Sequence, residues 1–417
     1  MKPKPLAHLN LPADSAVPHT RHPPNPVEIR LLELFWRAMR QPPIQIKLWD
    51  GTILGANDAD YPAMIINSRR ALWRFLLNPN IHFGDDYSRG AIDIEGDMVR
   101  FMEAVFSARP NLSQSRGFKR YVLNRPRLVR RNNLGGSRGN IHHHYDLGNE
   151  FYRLWLDKEL LYTCAYFPDP NMSLEAAQVA KMEHVCRKLR LQPGDEVVEA
   201  GCGWGALSLY MARRWGVRVK AFNVSHEQIT WARERAASEG LSSQVEFIED
   251  DYRNISGAYD VFVSVGMLEH VGRDNYSHMG EVIQGCLKPN GRGLLHSIGQ
   301  LEPRPMNGWI EKRIFPGAYP PTLSEMVKLF EPWQLAVLDV ENLRLHYAKT
   351  LQHWWSRFEE HAEQITAMYD ASFTRAWRLY LVGSLAHFNI GALHLFQVLF
   401  SRAGNNHTPW TRAYLYE

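Results

Sequence analysis

Strands alternating with helices beyond residue 193 predict an α/β protein with a parallel, doubly wound sheet, joined to a smaller amino-terminal α+β domain. Three observations carry this reading. Short apolar runs and helical periods take turns from Glu196 to Ile298, three glycines stand where the first of those strands gives way to its helix, and residues 28–106 follow a different, mixed pattern.

The elements follow in order. In the amino-terminal part, Ile29, Leu32, Trp36 and Met39 recur at helical spacing. Ile44-Gln-Ile-Lys-Leu-Trp49 then alternates as a strand does, before a turn at Asp50-Gly51. Glu196-Val-Val-Glu-Ala200 reads as a buried strand, Gly201-Cys-Gly-Trp-Gly205 as a turn, and 206–215 as a helix. Residues 217–222 give a second strand and 226–239 a second helix. Val245-Glu-Phe-Ile248, Tyr259-Asp-Val-Phe-Val-Ser264 and Gly293-Leu-Leu-His-Ser-Ile298 supply three more strands. Residues 379–400 carry no formal charge between Arg378 and Arg402 and are expected to form one helix. Its length suits a membrane span, but Ser384, His387, Asn389, His394 and Gln397 interrupt it, so it is read as buried or as lining a lipid channel.

The expected organisation is a disordered tail over 1–27, a small α+β domain over 28–106, a basic linker over 107–140 and the main α/β domain over 141–417. Seven prolines crowd the first 27 residues, which lack the apolar run of an export signal. Between Arg116 and Arg138 there are eight basic residues and no acidic one. That segment reads equally as a solvated linker or as a patch drawn to anionic lipid head groups.

Composition removes several classes. With 417 residues, 45% hydrophobic and 22% charged, the chain buries real cores and suggests two or three domains. The 48 basic against 44 acidic side chains leave a net charge of only +4, so no nucleic-acid partner is expected. Cys164, Cys186, Cys202 and Cys286 are scattered without a CxxC pair, which argues for reduced thiols and an intracellular, cytoplasmic protein. His142-His143-His144 do not present a tetrahedral ligand set, and no metal is expected.

Glycine at 201, 203 and 205 lets the backbone turn tightly and approach a ligand closely. A nicotinamide site would want GxGxxG with an acid some 20 residues later. Here the spacing is GxGxG, the second strand runs out in Phe222-Asn223-Val224-Ser225, and the acid, Glu199, precedes the glycines. This resembles the first motif of class I S-adenosylmethionine (SAM) methyltransferases, in which such an acid helps to hold the amino-acid end of SAM. By the same resemblance, Asp251 and its neighbour Tyr252 would meet the adenine.

Six motifs in register point to a family. His144-Tyr-Asp-Leu-Gly-Asn-Glu-Phe151, Leu161-Tyr-Thr-Cys-Ala-Tyr-Phe167, Glu199-Ala-Gly-Cys-Gly-Trp-Gly205, Val263-Ser-Val-Gly-Met-Leu-Glu-His-Val-Gly272 and Leu345-His-Tyr-Ala-Lys-Thr350 stand in order, with Leu295-His-Ser-Ile298 among them. Together they resemble the cyclopropane-fatty-acyl-phospholipid synthase family, which includes the mycolic acid cyclopropane synthases, over about residues 140–400. Phe83-Gly-Asp-Asp-Tyr-Ser-Arg-Gly90 extends a weaker likeness into residues 28–106, which resemble the lipid-side domain of the bacterial synthases and are by that likeness lipid-binding-like.

The resemblance implies a reaction. The π electrons of a cis double bond attack the SAM methyl, a carbocation forms on the acyl chain, and loss of a proton from the new methyl closes a cyclopropane ring. It also implies bicarbonate as the base, held by Glu269, His296, Tyr347, Cys164 and the backbone of Ile298. SAM contacts are implied at Tyr162, Thr163, Glu199, Gly201, Gly203, Gly205, Asn223, Ser225, Gln228, Asp251 and Tyr252. Three positions depart from the common pattern: Glu199 in place of Asp, Asn223 in place of Thr, and Ser384 where several members carry Cys.

Unsaturated phospholipid acyl chains are the implied substrate, reached from the cytoplasmic face of the membrane by peripheral contact with an anionic surface, and a homodimer is the implied assembly. Trp309, Phe315, Trp354 and Trp355 are candidate channel residues. A methylene- or methyl-branched product, a soluble substrate, and a lipid-binding protein without catalysis are the alternatives.

Overall fold

A computed structural model describes residues 22–56, 58, 60–108 and 147–416. The basic segment 116–138, the proline-rich start up to residue 21, and His142-His143-His144 lie outside the described residues. By its contacts the chain divides into two units, and the division is interleaved. Besides the amino-terminal stretch, the first unit takes Asn307–Pro316 and Trp354–Gly391. The second takes Gly317–His353 and Ala392–Glu417 along with residues between 147 and Met306. The sequence predicts instead two uninterrupted domains, 28–106 and 141–417, with a linker over 107–140 between them.

The first unit is built on a small sheet. Strands β1 (Gln45–Leu48), β2 (Ile53–Gly55), β3 (Ala63–Ile66) and β4 (Ile92–Glu95) lie in the order β2-β1-β3-β4. β1 pairs antiparallel with β2 through the turn at Asp50-Gly51, and parallel with β3. The preceding helix, Pro26–Ala38, begins with a reciprocal cap in which the Glu28 amide donates to Asn25 Oδ1 and the Asn25 amide to Glu28 Oε2, both at 2.9 Å. Residues contributed from late in the chain are tied in by buried charge. Arg313 reaches both oxygens of Asp85 at 3.0 Å, with both side chains almost fully covered. Removing one partner of such a pair strands a buried charge, at a cost of about 3–5 kcal/mol. Arg375 donates to the Tyr87 carbonyl at 2.6 Å and lies 4.3 Å from the centroid of the Tyr87 ring. Trp309 and Trp354, candidates for a lipid channel, are both buried in this unit.

The second unit holds seven strands: β5 (Glu196–Ala200), β6 (Arg218–Asn223), β7 (Val245–Glu249), β8 (Tyr259–Val265), β9 (Leu287–Gly299), β10 (Leu335–Asn342) and β11 (His394–Arg402). Their order is β10-β11-β9-β8-β5-β6-β7. Five adjacent strands are parallel, as the sequence predicts, while β11 runs antiparallel to both of its neighbours. Strand periodicity sends Val197 and Val261 to one apolar layer and Val198 and Phe262 to the other. Such two-sided burial is why the central strands β5 and β8 carry consecutive apolar residues, Val197-Val198 and Val261-Phe262-Val263, in place of strict alternation.

One expectation is corrected here. Residues 379–400 are two elements: the helix Ala371–Asn389 and strand β11, separated by a turn in which Gly391 adopts φ 73°. The stretch lacks charge because the helix packs inside the first unit and the strand is buried in the sheet of the second, so two adjacent buried elements mimic one long apolar helix. Among the described residues no helix is long and apolar enough to cross a membrane.

Candidate active site

In a sheet wound this way, ligands bind beyond the carboxyl ends of the strands, where the strand order reverses. Here that point is the end of β5, and the glycine turn stands there. The Gly201 and Cys202 amides donate to the Phe222 carbonyl at 2.8 and 3.2 Å, which folds the turn over β6. Gly201 has φ 82°, and a Cβ on it would lie 2.9 Å from Met267 Cβ, so only glycine fits without displacement.

Asn223 closes the far side of the turn. Its Nδ2 donates to the Gly203 carbonyl at 3.3 Å and to Gln228 Oε1 at 2.7 Å. Ser225, an implied SAM contact, caps the helix His226–Ser238 by accepting from the Gln228 amide. Glu199 is buried beneath the turn and accepts a hydrogen bond from Ser208. Burial raises its carboxyl to about 7, against the opposing pull of Ser208 and Lys181. Beyond β7, both oxygens of Asp251 are engaged by the Arg253 guanidinium at 2.7 and 2.8 Å. The neighbouring Tyr252 is buried, and its hydroxyl has no partner among the described residues.

The segment carrying Tyr162, Thr163 and Cys164 is held by groups to which the sequence reading gave no role. Gln178 Nε2 donates to the carbonyls of Leu161 and Thr163 at 3.2 and 3.0 Å. Lys181, fully buried on the same helix, Leu174–Leu189, donates to Thr163 Oγ1 at 2.7 Å. Because Lys181 occupies the oxygen as a donor, the Thr163 hydroxyl proton is left to point elsewhere. Tyr162 sits in an aromatic cluster with Tyr152 and Trp155 at centroid distances of 5.6 and 5.2 Å. Trp204 of the glycine turn joins that cluster and donates to Asn149 Oδ1 at 2.7 Å. The run Phe151-Tyr152-Arg153-Leu154-Trp155, dense in aromatics just before Tyr162, was the available signal.

Four of the five implied catalytic positions are tied together through the ends of β8 and β9 and the loop beside them. Glu269 lies on the short helix Leu268–Val271 that follows β8, while His296 and Ile298 lie on β9. The Ile298 amide, expected to face the bound anion, donates to Glu269 Oε1 at 2.6 Å and so fixes the carboxyl. Glu269 Oε2 is buried and has no partner among the described residues, and the same is true of His296 Nε2. Burial raises Glu269 to about 7. Burial, helped by the cations Lys181 and Lys188, pushes His296 well below its usual value, so its ring is neutral. Thr163 lies against Gly266 at the end of β8, which brings Cys164 to the same region. Cys164 is fully buried, its thiol held protonated by burial and donating to the Ala165 carbonyl at 3.1 Å. The Ala165 amide donates to Thr350 Oγ1 at 3.0 Å, which ties this loop to the helix that carries Tyr347.

A glycine turn backed by a buried acid, at the reversal point of a sheet with one antiparallel strand, is the plan of class I SAM-dependent methyltransferases, and this protein is an enzyme of that class. The chain belongs to the mycolic acid cyclopropane synthetase family, whose model matches residues 134–398. Residues 31–116 match a second model, described as a domain of unknown function. A Pseudomonas putida relative, "Probable fatty acid methyltransferase", is 33% identical over 90% of this chain and 96% of its own. The Escherichia coli (strain K12) "Cyclopropane-fatty-acyl-phospholipid synthase" is 39% identical over 63% of this chain and 68% of its own. Among solved structures, mycolic acid cyclopropane synthase CmaA1 complexed with SAH and CTAB is 29% identical with a TM-score of 0.61, covering 63% of this chain and 98% of that one.

Proposed function

We propose that this enzyme transfers the methyl carbon of SAM to the cis double bond of an unsaturated fatty acyl chain of a phospholipid and closes a cyclopropane ring. The observation that carries the reading is that two buried polar atoms, Glu269 Oε2 on the short helix after β8 and His296 Nε2 on the neighbouring strand β9, have no partner among the described residues. A neutral histidine and a carboxyl poised near 7 suit a small oxyanion that carries its own proton. Bicarbonate bound there would supply the base that removes a proton from the added methyl. Glu269 would accept its hydroxyl proton, with the carboxyl aimed by the Ile298 amide. His296 and Tyr347 would donate to its oxygens, and Cys164 would line the site as a neutral thiol, a weaker nucleophile toward a cationic chain than a thiolate.

The glycine turn, Asn223 and Gln228, Tyr162 and Thr163, and Tyr252 would hold SAM. The chain would work as a peripheral protein at an anionic cytoplasmic membrane face, reached in part through the first unit. There Val27, Leu31 and Leu34 are exposed at helical spacing on one face of Pro26–Ala38. A second reading, methylene- or methyl-branching of the same acyl chain, is favoured by the name "Probable fatty acid methyltransferase" of a relative matched over 90% of this chain.

The test is transfer of labelled methyl from SAM to vesicles of cis-unsaturated phospholipid, with and without bicarbonate. Label is expected in the acyl chains, falling at least about tenfold when bicarbonate is stripped. Vesicle binding is expected to require anionic lipid and to weaken with salt. Label found only in soluble acceptors overturns the lipid reading, and binding indifferent to charge and salt overturns the membrane contact.

A further inference from the structure

Behind His296 runs a line of polar side chains, buried at Gln397 and Lys188 and partly exposed at Glu341, that the SAM chemistry does not use. Glu341 on β10 accepts from Lys188 Nζ at 2.6 Å and pairs with His184 Nε2 at 2.8 Å. Lys188, which is almost fully buried, donates to Gln397 Oε1 at 2.8 Å. Gln397 on β11 stands opposite His296 on β9, and its Nε2 lies 3.1 Å from His296 Nδ1.

We propose that Glu341, Lys188 and Gln397 are positioning residues that lock His296 in the neutral tautomer carrying its proton on Nε2. Each link has only one polarity. An ammonium group has donors and no acceptor, so the Gln397 oxygen must face Lys188. The Gln397 amide nitrogen then faces His296 and, having only protons to offer, requires a lone pair on Nδ1. The single ring proton is left on Nε2, aimed away from the chain of bonds. Protonating Nδ1 would set two donors head to head beside a buried cation.

The groups that face this ring or its relay agree with that assignment. Lys181, His184 and Lys188 come from the helix Leu174–Leu189, and Glu341 from β10 is held ionised, its carboxyl at about 2, by His184 and Lys188. Lys188 itself is fixed by Glu341, so the ion pair anchors the polarity of the whole line. The value of such a device to catalysis rests on the reading of His296 as a donor to a bound oxyanion; the tautomer itself does not.

The experiment is a long-range proton–nitrogen correlation spectrum of the full chain labelled with 15N-histidine, with the His296 pair identified by its loss in His296→Gln. The wild type is expected to show the Nε2–H pattern, unchanged from about pH 6 to 8. In Gln397→Glu, the new carboxylate faces Nδ1, and the ring is expected to take a second proton. The kcat of that variant should fall at least about tenfold while the KM for SAM stays within about twofold. An Nδ1–H or doubly protonated ring in the wild type overturns the proposal, as does an unchanged ring in Gln397→Glu. The wild-type spectrum decides even if that variant does not fold. An Nε2–H ring in a chain that modifies no lipid leaves the lock standing and removes the lipid reading. A doubly protonated ring in an active enzyme does the reverse.

Discussion

Glu269→Gln is expected to lower lipid modification by at least about a hundredfold while SAM affinity stays within a few-fold of wild type. The amide keeps an oxygen for the Ile298 amide but loses the carboxyl chemistry at Oε2. The same substitution should make the protein more stable at high pH. Burial raises the carboxyl from 4.5 to about 7, so the folded chain holds the proton more tightly than the unfolded chain does. The stability this contributes is complete below about pH 4.5 and lost as the pH rises through 7, on the order of 3 kcal/mol in all. Glutamine escapes that loss, so the variant's melting temperature should exceed that of the wild type at pH 8 and approach it at pH 5. Calorimetric melts at both pH values, beside an activity assay and a SAM titration, check all three parts. A variant less stable than wild type at pH 8 contradicts the assignment of a strained, buried carboxyl.

Gly205→Ala is expected to damage fold and SAM binding together, because the residue both ends the turn and starts the next helix. Its φ is 82°, and a Cβ there would stand 2.6 Å from Phe247 Cζ and 2.9 Å from Ala232 Cβ. Both neighbours are buried in the sheet's apolar layer and have little room to give. The left-handed conformation and the overpacking together should cost about 2–4 kcal/mol, with SAM affinity falling at least about tenfold. Gly203→Ala is the control: its added Cβ meets nothing within 4 Å, so only the backbone conformation is taxed. Denaturant melts should rank the two variants, and equal losses would mean that packing against Phe247 is not what fixes the turn.

The parallel half of the sheet was legible because its strands are short apolar runs bounded by turns, and because Gly201 to Gly205 mark the turn at which it reverses. The end of the chain was not. Leu379 and Phe400 belong to different elements in different units, yet both are buried, and absence of charge records burial without recording geometry. Interleaving of Asn307–Pro316 and Trp354–Gly391 with the first unit was hidden for a related reason: Asp85 and Arg313 look like surface charges until they are seen paired. At the site, positions that carry a motif could be named in advance. The residues that orient them could not, because Lys181, Lys188, Gln397 and Glu341 are ordinary polar residues whose roles come from burial and from partners far along the chain.

The most direct test of the account is NMR of the fatty acids released after the purified protein has acted on cis-unsaturated phospholipid vesicles with SAM. Mass alone does not decide, since a ring and a methylene branch each add one CH2. Upfield ring-proton signals, present with wild type and absent with Glu269→Gln, are the expected result. Olefinic methylene signals in their place would contradict ring closure while leaving the SAM site intact, and unmodified acyl chains from a protein that still binds SAM would contradict the lipid substrate itself.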